Sequence, residues 1–248
     1  MTVQEIYEII NDFAPFETAC EWDNAGFLVG DGSREITGIL LAMDVTKEAV
    51  AEAKEKGCNL IISHHPIIFR GIKSVKSDSV VYMCIRNDIA VISAHTNLDK
   101  ADGGVNTALA EKIKLINLRP IGTDEGIGLV GELAEEMLPD ELSEHLERCL
   151  EIKPRYNRNV NRPIKTVGIC GGSGASLAND AYRNHKIDAF VTADVKNNEF
   201  IEISNMDIVL YDCGHNATER VVLPVLQKLI MCRCKVNTFI AESYNGMV

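Results

Sequence analysis

The chain contains six histidines, and four of them fall where an apolar run gives way to polar residues. His64 and His65 end "LIISHHP", His95 lies in "VISAHTNLD" and His215 in "VLYDCGHNATER". A further run, "DAFVTADVKNNE", ends the same way on Asp194. Imidazole nitrogens and carboxylates are the donors that suit hard-to-borderline divalent ions. In "HNATE", His215 and Glu219 are four residues apart, so in a helix they project from one face. With Asp99 of "NLD", the set His64, His65, Asp99, His215 and Glu219 holds three imidazoles and two carboxylates. That set suits two ions such as Zn, Mn, Fe or Mg, and it needs no thiolate of the structural-zinc kind.

Each piece has a plainer reading when taken alone. One ring of the histidine pair can be hydrogen-bonded inside while the other is solvated. "NLD" can be an Asx turn closing a strand, and "HNATE" a helix start with an exposed His and Glu. His145 and His185 lie in polar helical stretches and read as surface residues. The metal reading gains its weight from the clusters meeting in space.

Parallel strands provide that meeting, because their carboxyl ends share one edge of a sheet. Apolar, β-branched runs alternate with amphipathic segments along the chain. "TGILLAMDV" precedes the helix "TKEAVAEAKEKG", with Thr46 as N-cap and Gly57 as terminator. "NLIIS", "IAVIS", "KTVGIC", "DAFVT" and "DIVLYD" are further strands, and "DSVVYMCIRND", "GGVNTALAEKIKL" and "PDELSEHLERCL" are helices. The alternation predicts an α/β fold of two lobes with mostly parallel sheets covered on both faces. The glycine-rich "GTDEGIG" (122–128) marks the expected boundary. The first lobe is then 1–124, with the HH and NLD motifs. The second is 125–248, with the GGSG and GHNATE motifs, and its C-terminal segment can pack back on the first.

Bulk properties narrow the function. Of 248 residues, 46% are hydrophobic and 25% charged, an ordinary globular balance. The net charge of −11 argues against non-specific nucleic-acid or anionic-membrane binding and suits a cation site. The longest basic run, "KPRYNRNVNRPIK" (153–165), reads as a solvated loop. No apolar stretch approaches about 18 residues, so no membrane span is expected. The opening "MTVQEIYEIINDF" is acidic and helical in period, unlike a targeting signal, and predicts a cytoplasmic protein. Eight scattered cysteines read as reduced residues of the core. "CRC" (232–234), on a strand, would turn both thiols to one side by packing.

Two other stretches bear on a ligand. "GICGGSGASL" (168–177) joins a strand to a helix through a turn whose amides, including those of Gly172 and Ser173, suit a phosphate. It is neither a Walker loop nor a full GxGxxG, and a tight turn without ligand reads equally well. "EWDNAGFLVGD" holds Trp22, which either stacks on a base or anchors a packed loop.

Taken in order, "EWDNAGFLVGD", "SHHPIIF", "AHTNLD", "GGSG", "TADVKNNE" and "DCGHNATE" resemble the signatures of the NIF-three-like family, also called the GTP cyclohydrolase I type 2 homologue family. The resemblance runs from about residue 15 to the C-terminus. It implies a dinuclear metal centre in the cleft between two α/β lobes, two divalent ions per chain and a toroidal homohexamer. Position by position, His64, His65, Asp99, His215 and Glu219 match the family's metal ligands. His95 falls at the rim of the site or behind the ligands. Trp22, Asn24, Gly172, Ser173, Asp194 and Lys196 are candidates to support the ligands or touch substrate. One motif departs: Ala193 replaces a glycine, and Asn197 and Asn198 stand where the family carries aromatic or histidine residues.

The function this implies is a metal-dependent hydrolase, in which a water activated by the ions attacks a nucleotide-like substrate at carbon or at phosphorus. The altered "TADVKNN" motif favours the alternative, a non-catalytic metal-binding ring that docks a partner. Direct nucleic-acid binding is the weakest of the three readings. No residue is assigned as the catalytic acid or base.

Overall fold

The computed structural model describes residues 1–122 and 126–243. In chain order the elements are α1 (Val3–Phe13), β1 (Gly26–Val29), β2 (Ile39–Ala42), α2 (Lys47–Glu55), β3 (Leu60–Ser63), α3 (Val80–Arg86), β4 (Ala90–Ser93), α4 (Thr96–Lys100) and α5 (Val105–Lys112). There follow β5 (Ile116–Pro120), β6 (Leu129–Met137), α6 (Pro139–Leu150), β7 (Arg155–Tyr156), β8 (Ile164–Ile169) and α7 (Ala178–His185). The remainder is β9 (Ala189–Thr192), α8 (Asn197–Ser204), β10 (Val209–Asp212), α9 (His215–Glu219), α10 (Leu223–Arg233) and β11 (Thr238–Ile240). The chain divides into two compact units. One is residues 1–102 with the described residues from Leu223 onward; the other is Gly103–Val222. Residues 123–125 of the glycine-rich stretch lie outside the described residues.

The first unit holds a five-stranded sheet of order β1-β4-β3-β2-β11. β4, β3, β2 and β11 are parallel, and β1 closes the edge antiparallel to β4. Every residue of β2, β3 and β4 is buried, which is why these strands read as unbroken apolar runs. α2 begins where its cap dictates: Thr46 accepts a hydrogen bond from the Ala49 amide at 3.1 Å. Leu40, Ile61, Val91, Val50 and Ala53 meet in the core.

The second unit corrects the expectation of a mostly parallel sheet. Its order is β5-β6-β8-β9-β10-β7, and only β8, β9 and β10 run parallel. β5, β6 and β7 pair antiparallel. Exposure explains the difference: β5 is largely exposed, and β6 is buried only in its first half, with Ala134, Glu135 and Glu136 exposed, so neither is sandwiched between helices along its length. Val167, Val191, Val209, Tyr211 and Leu146 form the core.

Four local expectations change. His145 is 9% exposed, its Nε2 lying 2.9 Å from the Ile113 carbonyl, because its face of α6 is the inward one. The "NLD" segment is part of a helix, α4, and not a turn. "CRC" does not lie on a strand: Cys232 is exposed on α10, whereas Cys234 is buried beyond the helix end. The basic run 153–165 is also tied down. Arg155 pairs with Asp212, Arg162 with Asp188, and Asn157 Nδ2 donates to the Ile208 carbonyl at 3.0 Å. Two of its five cations thus form ion pairs within the unit. Among the described residues the cysteines are free thiols, six of them buried, and no helix is long and apolar enough to cross a membrane.

Candidate metal centre

In the first unit, strand register brings the polar residues together. Ala42, Ser63 and Ser93 are level across β2, β3 and β4, so residues two further on, Asp44, His65 and His95, leave the sheet side by side. His64, between them, is fully buried. Its Nδ1 lies 2.9 Å from the Ala94 carbonyl. A carbonyl only accepts, so Nδ1 carries the proton and the lone pair is on Nε2. That Nε2 is 3.6 Å from Asp99 Oδ1 on α4.

The neighbouring rings are oriented in the same way. His65 Nδ1 meets Asp44 Oδ1 at 2.9 Å, and His95 Nδ1 meets Asp23 Oδ1 at 2.9 Å. One ring nitrogen from each of His64, His65 and His95 lies within 4.8 Å of the others, a spacing able to hold a metal ion. An oxygen behind each ring is the arrangement that fixes metal-ligating histidines.

Asp23 is the deepest of these supports. Its side chain is inaccessible to solvent, and its second oxygen accepts from the Thr96 amide at 3.0 Å and the Thr96 hydroxyl at 2.6 Å. Burial alone would raise its pKa. The hydrogen bonds from His95 and Thr96, with the charge on His95, outweigh burial and hold it well below the usual carboxylate range.

In the second unit, the parallel strands β8, β9 and β10 release Gly172, Asp194 and His215 at one edge. Gly214, at φ 73°, makes the turn from β10 into α9, where His215 and Glu219 share a face. His215 Nε2 is 3.0 Å from Glu219 Oε2, and its Nδ1 is 2.7 Å from Asp194 Oδ2. The hydrogen bond to Glu219 is the largest effect on this imidazole. With Asp194 it overcomes partial burial and lifts the pKa to about 9. Glu219 is buried. Gly172 lies against it at φ 64°, where a Cβ would collide with the Glu219 carboxylate and meet His215 Cε1 at 3.3 Å. The Gly172 amide donates to the Thr218 hydroxyl at 3.0 Å.

The remaining candidates are placed as follows. Asn24 is a staple, its Nδ2 donating to the Ile68 carbonyl at 2.5 Å. Ser173 is exposed in the β8–α7 turn, and Lys196 is exposed at the start of α8 with Asn197 and Asn198. Trp22 is 53% exposed, so it is not a packed anchor. Sequence reasoning missed Asp23 and Asp44. Asp44 carried a signal, since it ends the apolar run "ILLAMD" as the histidines end theirs. Asp23 sat beside the residues singled out but could be tied to His95 only by the 72-residue contact.

Comparison with known proteins agrees with this arrangement of elements. A Clostridium perfringens protein named GTP cyclohydrolase 1 type 2 homolog is 35% identical over 240 residues, covering 92% of this chain and 91% of its own. NIF3-like protein 1 of Drosophila melanogaster is 32% identical, covering 94% of this chain and 84% of its own. A crystal structure of a Staphylococcus aureus hypothetical protein superposes with a TM-score of 0.92 at 28% identity, covering 100% of this chain and 99% of that one. The Duf34/NIF3 (NGG1p interacting factor 3) profile matches residues 1–245. The chain belongs to the Duf34/NIF3 family.

Proposed function

We propose that the chain binds two divalent metal ions through His64, His65, Asp99, His215 and Glu219 and acts as a metal-dependent hydrolase on a nucleotide-like substrate. The observation that carries this reading is the His64–Asp99 pair. Their facing atoms are 3.6 Å apart, beyond a hydrogen bond and close to the roughly 3.4 Å between two donors on one tetrahedral ion. The helical pair His215–Glu219 adds a second imidazole–carboxylate couple. This nitrogen and oxygen donor set fits zinc, manganese or iron.

When bound, such ions lower the pKa of a coordinated water and offset negative charge that develops on the substrate. The chain itself supplies orientation. Ala94 sets the His64 tautomer, Asp44 and Asp23 hold the rings of His65 and His95, and buried Glu219 places its carboxylate where a Cβ on Gly172 would collide with it. The name of the Clostridium relative makes GTP the first substrate to test. The same reading carries the homohexamer, which sedimentation checks.

The test is to load the purified chain with zinc, manganese or iron and count ions per chain by elemental analysis. Formate and phosphate release from GTP are then followed. Two ions with release of either product supports the reading. Bound ions with neither product would instead favour a non-catalytic metal-binding scaffold, in keeping with Asn197 and Asn198 standing exposed where the resemblance expects rings. No bound ion under any loading condition overturns both.

A further inference from the structure

We propose that Trp22 and Phe69 form a seat for the base of a purine nucleotide beside the histidine cluster of the first unit. Trp22 is 53% exposed and Phe69 44%, although both are large apolar side chains that folding ordinarily buries. Their ring centroids are 6.0 Å apart at 51°, so neither face is used up by stacking on the other. Each stands edge-on to His95, at 6.1 Å and 78° for Trp22 and at 6.2 Å and 77° for Phe69. His95 thus lies at the base of a three-ring group and borders His64 and His65 at 5.1 and 5.6 Å.

The exposure is imposed by anchors. Asp23, next to Trp22, is bound to His95 and Thr96, and the Cys20 amide donates to Thr96 Oγ1 at 2.9 Å. Asn24 then ties this loop to the one carrying Phe69 through the Ile68 carbonyl. These anchors hold the backbone on either side of Trp22 while its ring stands exposed. Rings presented in this way are the usual platform for a nucleobase.

The chain after Phe69 points to a nucleotide and not a bare base. In "RGIKSVK" (70–76), Arg70, Lys73 and Lys76 are exposed with no acidic residue between them, in a chain of net charge −11. Local cations in an acidic protein complement a phosphate.

As the substrate seat of the proposed hydrolase, the site rests on that reading; ring binding itself needs no metal. Trp22 is the single tryptophan, so its emission reports on this site alone. Metal-stripped full-length protein is titrated with guanosine monophosphate and, separately, with ribose 5-phosphate. Saturable quenching by the nucleotide alone is expected. Phe69→Ala should weaken the apparent Kd about tenfold or more, and Phe69→Tyr, which keeps a ring, by less than about threefold. The proposal is overturned if the nucleotide leaves emission unchanged, if ribose 5-phosphate quenches equally, or if Phe69→Ala binds as the parent does. Emission that follows protein concentration and ignores nucleotide would assign the rings to a contact between subunits and also overturn it. Should Phe69→Ala not fold, calorimetry on Trp22→Phe and Trp22→Ser decides, with binding kept by the first and lost by the second. Quenching together with absent hydrolysis by metal-loaded protein would sink the hydrolase and leave the seat standing.

Discussion

His64 Nε2 and Asp99 Oδ1 face each other at 3.6 Å, with the far side of the His64 ring locked to the Ala94 carbonyl. The lock matters as much as the separation, because it leaves the Nε2 lone pair and the carboxylate converging on common ground. Replacing either partner, in His64→Ala or Asp99→Asn, should weaken metal affinity by more than the roughly 10–100-fold typical of an outer support. Metal titration against a competing chelator measures this. Unchanged affinity in both variants would remove these residues from the ligand set.

Asp44 tests the support itself. Its carboxylate holds His65 Nδ1 at 2.9 Å from a partly exposed position, so Asp44→Asn should leave folding intact. Metal affinity should fall about 10–100-fold. A melting temperature near that of the parent, with weakened metal binding, is the expected pair of results.

Gly172 tests the second unit. Gly172→Ala places a methyl group on the Glu219 carboxylate and forces a side chain into left-handed backbone, costing about 1–2 kcal/mol from the backbone alone. Stability should drop by that order in a urea melt. Metal binding should suffer disproportionately, because Glu219 must move from its buried place. Full ion content in a folded Gly172→Ala protein would show that Glu219 is not a ligand.

His215 sets a pH dependence in the metal-free protein. Its folded pKa, about 9, lies above the ordinary value of 6.5. The ion pairing therefore contributes stability that is fully present below pH 6.5 and fades as pH rises through about 9. Proton NMR of the metal-stripped chain should show one imidazole titrating near 9, absent in His215→Asn. A midpoint at or below 6.5 would contradict the paired geometry.

Glu52 gives the opposite sign. Burial would raise its pKa, but bonds from Lys56 and from the amides of Ser243 and Glu242 pull it to about 2, below its ordinary 4.5. Its stabilising effect is present above pH 4.5 and is lost as pH falls through about 2. Because those amides follow β11, Glu52→Ala should cost about 2 kcal/mol at neutral pH and loosen the C-terminal segment to proteolysis.

Much of this was legible in the residues. "LIIS", "AVIS" and "AFVT" are buried along their whole length, so each is apolar up to its terminal Ser or Thr and stands out as a strand. His215 and Glu219 could be paired from their spacing alone, since four residues is one turn of helix. The antiparallel edges of the second sheet were harder. β5 exposes nearly all its residues and β7 has two, so neither carries a hydrophobic period. Asp23 escaped for a different reason: its partners, His95 and Thr96, lie over 70 residues away.

By itself the sequence determined which side chains end the buried strands, because apolar runs and their polar stops are local and each residue reveals its own preference. Only the tertiary structure decided which nitrogen of each histidine is held, which carboxylates hold it, and that Trp22 stands in solvent. Those choices depend on strand register and loop anchoring, which join residues far apart in the chain and leave no trace in any one of them.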